Sequence, residues 1–301
     1  MSRYWPTLLL LAAIWGASYV CIKVAVQDIE PAPMMAMRAF GAGLVLLAYL
    51  VVTTGGTRAV SDLRRHWRPA LVLGAVNAAI PFWLIAWGEK HIDSSVAGIA
   101  QATVPIFTFL LAARFLPHEP VGVTRMIGVA VGLVGVAVLA GFDPDVSWLA
   151  VMGTLALVLS SLFYASAGVY GQHSVQSAPG PVLATGSMLA GGLILLPFAL
   201  FQLPGSRPDA ETIASILVLT LLGTAFAQLI LFHMLRLYGS RRLSLVTYLI
   251  PGFAVFYGAV LLDEPVTVAA LGGLVLILGG VALASGQQLL RSRADAREEP
   301  A

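Results

Sequence analysis

His118–Gly141 reads HEPVGVTRMIGVAVGLVGVAVLAG, and Asp263–Gly286 reads DEPVTVAALGGLVLILGGVALASG. The two stretches align at a constant offset of 145, which pairs Glu119 with Glu264, Pro120 with Pro265, Val121 with Val266, Gly128 with Gly273, Gly135 with Gly280 and Gly141 with Gly286. Each is an acid and a proline followed by a helix-length apolar run with small residues a turn or two apart. Glu-Pro reads as a helix start, because proline suits the first turn and a carboxylate there is favoured by the helix dipole. The glycines read as packing positions that let two helices approach closely. A chain that repeats itself over such a length is built from two equivalent halves.

Working outward, a second echo appears at offset 148. Ala17-Ser18 matches Ala165-Ser166, Pro31-Ala32-Pro33 matches Pro179-Gly180-Pro181, and Ala42-Gly43 matches Ala190-Gly191. Between the echoes lie apolar runs of the length that a bilayer core requires, roughly 20 residues each. Ten can be counted: about Pro6–Val26, Met34–Thr53, Pro69–Trp87, Ser94–Leu116, Val121–Gly141, Trp148–Tyr170, Pro181–Gln202, Thr212–Leu235, Leu243–Leu262 and Val268–Leu289. Span one pairs with six, two with seven, four with nine and five with ten. An odd number of crossings per half turns the second half upside down. The expected fold is an all-α integral membrane protein, ten helices in two inverted five-helix repeats (1–143 and 144–290) around a central cavity, with a disordered cytoplasmic tail at 291–301.

Composition agrees. The chain is 58% hydrophobic and only 11% charged, whereas a soluble domain is nearer half apolar and a quarter charged. Strands are not expected, since the runs are long and lack in/out alternation. Asp143-Pro144-Asp145 and Pro204-Gly205 are turn chemistry. The basic residues form short loop clusters and no continuous face, so nucleic acid is not an expected partner. The single Cys21 allows no intramolecular disulfide, and the N-terminal run reads as a first span and not as a removed signal peptide.

Charge orients the chain. With both termini in the cytoplasm, the inner segments hold Arg3, Arg58, Arg64, Arg65, Arg68, Arg114, Arg125, Arg236, Arg241, Arg242, Arg291, Arg293 and Arg297, and the outer ones only Lys90 and Arg207. Cytoplasmic loops are the Lys/Arg-rich ones, so this orientation is expected, in a bacterial-type inner membrane.

Polar residues inside spans mark what faces protein or water. Trp15, Ser18, Tyr19 and Ile22 share one helix face, as do Asn77, Pro81 and Leu84; Gln101, Pro105 and Thr108; Ser160, Phe163, Tyr164 and Ala167; Thr220, Thr224 and Gln228; and Ser244, Tyr248, Pro251 and Val255. Singly, such residues are interhelical hydrogen bonds of order 0.6 kcal/mol each. Together, six mixed aromatic and uncharged faces, three from each half, have the composition of a small-molecule pocket. The expected substrate contacts are Trp15, Ser18, Tyr19, Arg38, Asn77, Pro81, Gln101, Pro105, Phe163, Tyr164, Thr224, Gln228 and Tyr248. Lys23 and Arg38 are basic residues that lie within spans near their outer ends. Snorkelling to the outer interface is their default reading, with a substrate-carboxylate site, or a gate pair with Asp28 or Glu30, as the alternative. No acid stands at mid-span, which argues against a carboxylate proton relay.

Several chemistries are missing. There is no phosphate-binding GxxxxGK[ST] loop, no HExxH, no Cys/His metal cluster and no GxSxG elbow. No cofactor is expected.

The ordered set of a Trp15-Gly16-Ala17-Ser18 start, Arg38 early in span two, Pro105 in span four and Glu-Pro opening spans five and ten resembles the EamA branch of the drug/metabolite transporter superfamily, over roughly residues 6–288. That resemblance implies an inner-membrane exporter of small metabolites with a cavity between inverted halves. Within the family the chain looks most like YddG-type amino-acid exporters, including those for aromatic amino acids. It implies carry-over of Trp15, Ser18, Arg38 and Pro105, whereas Gly186 stands opposite Arg38 and Phe163 opposite Trp15 in the second half.

The expected activity is alternating-access export of amino acids, with the partners being that small-molecule substrate and the lipid bilayer, and a monomer favoured. A broad drug or metabolite exporter is the alternative within the class. A membrane enzyme built on Glu89, His91 and Asp93 is the alternative outside it. Reporter fusions at the two chain ends should both report the cytoplasm; ends on opposite sides would refute the even number of crossings.

Overall fold

The computed structural model describes residues 4–115, 122–140, 147–174, 178–203, 205 and 207–298, and only the backbone of 173–174, 240–242 and 285–298. Within them the regular structure is entirely helical. Lipid offers a chain no hydrogen bonds, so each crossing segment must satisfy its own backbone, and a helix does so. The helices are α1 Tyr4–Ala25, α2 Pro31–Thr54, α3 Gly56–Arg65, α4 Trp67–Glu89, α5 Ser94–Phe115, α6 Val123–Ala140, α7 Trp148–Ser174, α8 Gly180–Leu200, α9 Ala210–Gly239, α10 Val246–Leu261 and α11 Val268–Glu298. Eight are long and apolar enough to cross a bilayer, and Val246–Leu261 and Val268–Ala284 are shorter apolar helices. The short polar α3 lies against the others through Ala59 and Leu63, which meet Leu50 and Val182. α11 continues to Glu298, into the segment read from sequence as a tail. The Glu119-Pro120 start of the first repeat stretch, Gly141, the Asp143-Pro144-Asp145 turn and Pro204 lie outside the described residues.

Helix starts follow local chemistry. Pro31 opens α2 behind Glu30, and α8 opens behind Pro179. Asp209 caps α9 by accepting from the Thr212 amide at 2.7 Å. The second Glu-Pro pair departs from expectation. The cap of α11 is Thr267, whose Oγ1 accepts from the Ala270 amide at 3.0 Å. Glu264 instead accepts from the amides of Ser94 and Ser95, at 2.7 and 2.9 Å, and so caps α5. A carboxylate favours any exposed helix N-terminus, and the fold brings a foreign one closer than its own. At the other end, Gly239 breaks the chain between α9 and α10 with φ 76°, a conformation open to glycine.

Glycine sets the closest packing. α6 runs along α11, and α2 along α8. A Cβ on Gly128 would lie 2.6 Å from the Ala284 amide nitrogen, one on Gly280 2.6 Å from that of Gly132, and one on Gly135 2.8 Å from that of Ile277. Across α2 and α8 the same holds for Gly43, 2.8 Å from the Leu189 nitrogen, and Gly192, 2.7 Å from that of Phe40. Gly279, in contrast, meets nothing within 4 Å. Large apolar side chains such as Val275, Leu193 and Phe198 point outward and are exposed, as a lipid-facing surface requires.

Three irregular turns matter for the site. α4 contains a π-helical segment at Gly74–Ala79, and α9 one at Leu221–Phe226. They fall 147 residues apart, close to the offsets of 145 and 148 seen in the sequence echoes. α5 contains a 3-10 turn at Gln101–Thr103. Each rotates the residues beyond it relative to a regular helix.

Replacing Gly280 with Leu should therefore destabilise the α6–α11 pair by about 1–3 kcal/mol, the usual cost of overpacking, whereas Gly279→Leu should be nearly silent. Thermal unfolding in detergent distinguishes the two; equal melting temperatures would refute the packing account.

Candidate functional site

A cavity of about 770 Å³ occupies the middle of the helix bundle. Its walls come from α1, α2, α4, α5, α7, α8, α9 and α10. Of the residues expected from sequence, Trp15, Ser18, Tyr19, Arg38, Asn77, Gln101, Tyr164, Thr224 and Gln228 line it. Pro81, Pro105, Phe163 and Tyr248 do not.

The helix irregularities explain part of the difference. In α4 the lining runs Leu73, Asn77, Phe82 and Ile85; the wide π turn adds a residue, so Phe82 takes the place a regular helix would give Pro81. In α5 the lining runs Gly98, Gln101, Ala102 and Val104; the tighter 3-10 turn at Gln101–Thr103 brings Val104 to the wall in place of Pro105. In α7 the wall is Tyr164, Ala167, Gly168, Gly171 and Gln172, and in α10 it is Thr247, Ile250 and Pro251. Each overlaps the expected face, sharing Tyr164 and Ala167 or Pro251, but is turned away from Phe163 and Tyr248. Tyr248 packs against the main apolar core instead. α8 supplies Ala184, Ser187 and Met188, a wall with little polar signal in the sequence.

Arg38 is the electrostatic centre. It is 6% exposed, so it does not snorkel. Its Nε donates to Thr224 Oγ1 at 2.9 Å, and its guanidinium lies over the Phe82 ring, 4.2 Å from the centroid. Thr224 in turn donates to the Leu219 carbonyl at 2.9 Å, five residues back, a bond its π turn makes possible. Among the described residues no carboxylate lies within ion-pair distance of Arg38. One terminal nitrogen also donates to Met35 Sδ at 3.9 Å. A cation held by a ring face, one hydroxyl and one thioether keeps donors available to a ligand, and the low dielectric strengthens what it binds. The two π segments carry matching positions, Asn77 and Thr224, onto the wall. Gln101 Oε1 accepts from Ser160 Oγ at 2.9 Å and from Ser161 Oγ at 2.5 Å. Those bonds fix the amide and leave its NH₂ as the end not engaged in them.

The cavity reaches one end of the bundle. Its outermost lining, Gln172, Gly180, Leu235 and Thr247, comes from the last turns of α7 and α9 and the first of α8 and α10. The opposite end is tied shut by polar contacts. Lys23 Nζ donates to the carbonyls of Glu89 and Ile92 at 2.9 and 2.7 Å, so it closes the end of α4 and forms no pair with Asp28 or Glu30. Lys90 pairs with Glu30 at 2.8 Å. Asp28 accepts from Thr212 Oγ1 at 3.1 Å and from the Asp209 amide at 3.2 Å. Partial burial and nearby Glu264 hold the Asp93 carboxyl above its ordinary range. Of Glu89, His91 and Asp93, on which the alternative enzyme reading rested, Glu89 is buried, His91 packs edge-on to Trp87 at 4.9 Å, and none lines the central cavity. No group of three or more metal-ligating side chains occurs among the described residues.

Sequence spacing offered no sign that Glu264 caps α5. Glu264→Ala should cost about 1–3 kcal/mol, because it removes two charge-assisted bonds and leaves two buried amides bare, and Glu264→Gln should cost less. Chemical or thermal unfolding measures both; an Ala variant as stable as the parent would refute the cap.

Comparison with known proteins completes the picture. Residues 4–141 and 151–286 each match the model of the EamA-like transporter family. An uncharacterized transporter of Archaeoglobus fulgidus is 26% identical over 279 residues, covering 93% of this chain and 97% of its own. The uncharacterized inner membrane transporter YedA of Escherichia coli is 27% identical over 196 residues, covering 62% of this chain and 58% of its own. A probable amino-acid metabolite efflux pump of Salmonella typhimurium is 24% identical over 287 residues, covering 91% of each. One solved crystal structure superposes with a TM-score of 0.67 over 95% of this chain and 98% of its own at 20% identity, a likeness of fold alone. With two family matches spanning nearly all of it, the chain is a multi-pass membrane protein that belongs to the EamA-like transporter family.

Proposed function

We propose that the protein exports amino acids, apolar and aromatic ones included, by alternating access. Ten helices cross the membrane as two inverted halves, 1–143 and 144–290, and rock about the cavity so that one mouth closes as the other opens. The corresponding π turns and the matched glycine packing support this arrangement. With both termini in the cytoplasm, as the arginine distribution favours, the open mouth faces inward and the tied end outward. The working unit is a monomer in the plasma membrane.

One observation carries the substrate class: a buried guanidinium without a carboxylate partner faces a cavity walled by Trp15, Tyr19, Tyr164 and Phe82. A carboxylate completes Arg38, the Gln101 amide and Asn77 hydrogen-bond the head group, and the rings take an apolar or planar side chain. The name of the Salmonella relative points the same way. A broader metabolite exporter is the second reading, favoured by a volume that suits drug-sized ligands.

In reconstituted vesicles, purified protein should accelerate flux of at least one of the twenty amino acids, with competition among apolar and aromatic ones. Arg38→Gln should raise KM roughly 10- to 150-fold, as removal of a charge-assisted bond of about 1.5–3 kcal/mol predicts. No acceleration for any amino acid would remove the narrower claim. Transport of cationic dyes in its place would favour the broader one.

A further inference from the structure

Glu89 ends α4 and is wholly buried, and neither of its carboxyl oxygens has a hydrogen-bond partner. It lies outside the central cavity, within the tied end of the bundle. The charged and titratable groups that face it are Lys23, Tyr19 and Cys21 from α1, Arg38 from α2 and Glu264 ahead of α11. None hydrogen-bonds its carboxyl group. Lys23 Nζ is engaged by two backbone carbonyls, one of them Glu89's own. Arg38 is held by Thr224 and Phe82, and Glu264 is an acid already capping α5. α7 meets this end of α4 at Gly88 through Gly153 and Leu157. α5 contributes Ser94, whose hydroxyl also has no partner. A wholly buried carboxylate that the protein gives no hydrogen-bond donor is costly to keep ionised; the group holds a proton instead.

We propose that Glu89 is the proton-binding site of the outer gate, so that closing the gate takes up one proton and opening releases it to the outer water. On opening, the carboxyl is rehydrated and ionises, and Lys23, freed from the carbonyls of Glu89 and Ile92, pairs with it. The inference rests on the alternating-access reading but on no particular substrate. The closed state holds one more proton than the open state. Between the ionisation of the hydrated and the buried carboxyl, each unit rise in pH therefore shifts the closed-to-open ratio about tenfold toward open. Asp28, Asp93, Asp209, Glu211, Asp263 and Glu264 line the outer cleft and are the same in parent and variant.

The test uses the full chain in lipid nanodiscs without substrate. Spin labels go at Gln27→Cys and Val266→Cys, beside the outer cleft, in a Cys21→Ala background. Pulsed-EPR distances should lengthen as pH rises in the parent. Glu89→Gln should stay closed with that response lost, Glu89→Asp should keep it, and Lys23→Met should move the half-opening point to higher pH. A parent whose distances ignore pH, or a Glu89→Gln variant with the parent's response, would overturn the proposal. Absent amino-acid flux would leave it untouched and count against the substrate reading alone.

Discussion

A bilayer gives polar groups nothing to bind, and the architecture answers to that constraint. Backbone groups are satisfied within helices, and polar side chains turn toward protein or toward enclosed water. The most demanding group is Arg38, a permanent cation near the middle of the bundle. The protein meets the demand with one hydroxyl, one thioether, one ring face and an open cavity. Had a carboxylate been placed beside it, the guanidinium would be neutralised and the cavity would lack a reason to bind an anion. The missing partner is therefore the feature that most directly links the fold to a substrate.

The two ends of the bundle solve different problems. At the open end, glycines such as Gly168 and Gly171 meet nothing within 4 Å, and the lining reaches the surface. At the tied end, short connectors are joined by bonds across long sequence separations: Lys23 to Glu89 and Ile92, Glu264 to Ser94 and Ser95, Asp28 to Thr212, Lys90 to Glu30. Exposed pairs such as Lys90–Glu30 contribute little individually, about 0–1 kcal/mol. Several weak bonds in parallel hold this end together, and each can be exchanged for water.

The glycine stripes serve the opposite purpose. Where a Cβ would collide with a neighbouring backbone, as at Gly128 and Gly280, two helices are locked together at short range. Those pairs are α6 with α11 and α2 with α8, and the second of them contributes wall to the cavity.

Much of this was legible in the residues alone. Apolar run lengths placed the helices, and polar faces brought nine of the thirteen expected residues to one cavity, because helix periodicity is a local property that sequence spacing records. Two of the misses share one cause. Pro81 and Pro105 leave the wall because a π turn and a 3-10 turn rotate the residues near and beyond them, and nothing in residue spacing announces a local change of pitch. Glu264 caps a foreign helix, and Glu89 is buried beside a lysine that binds its carbonyl and not its carboxyl group. Such partners are set by how helices distant in sequence meet in space. The sequence by itself determined membrane residence, the course of the apolar helices and the polar faces, because each depends on neighbours along the chain. Tertiary packing alone decided which side chains face the cavity, which end is shut and which charges go without a partner, because each depends on residues that only the fold brings together.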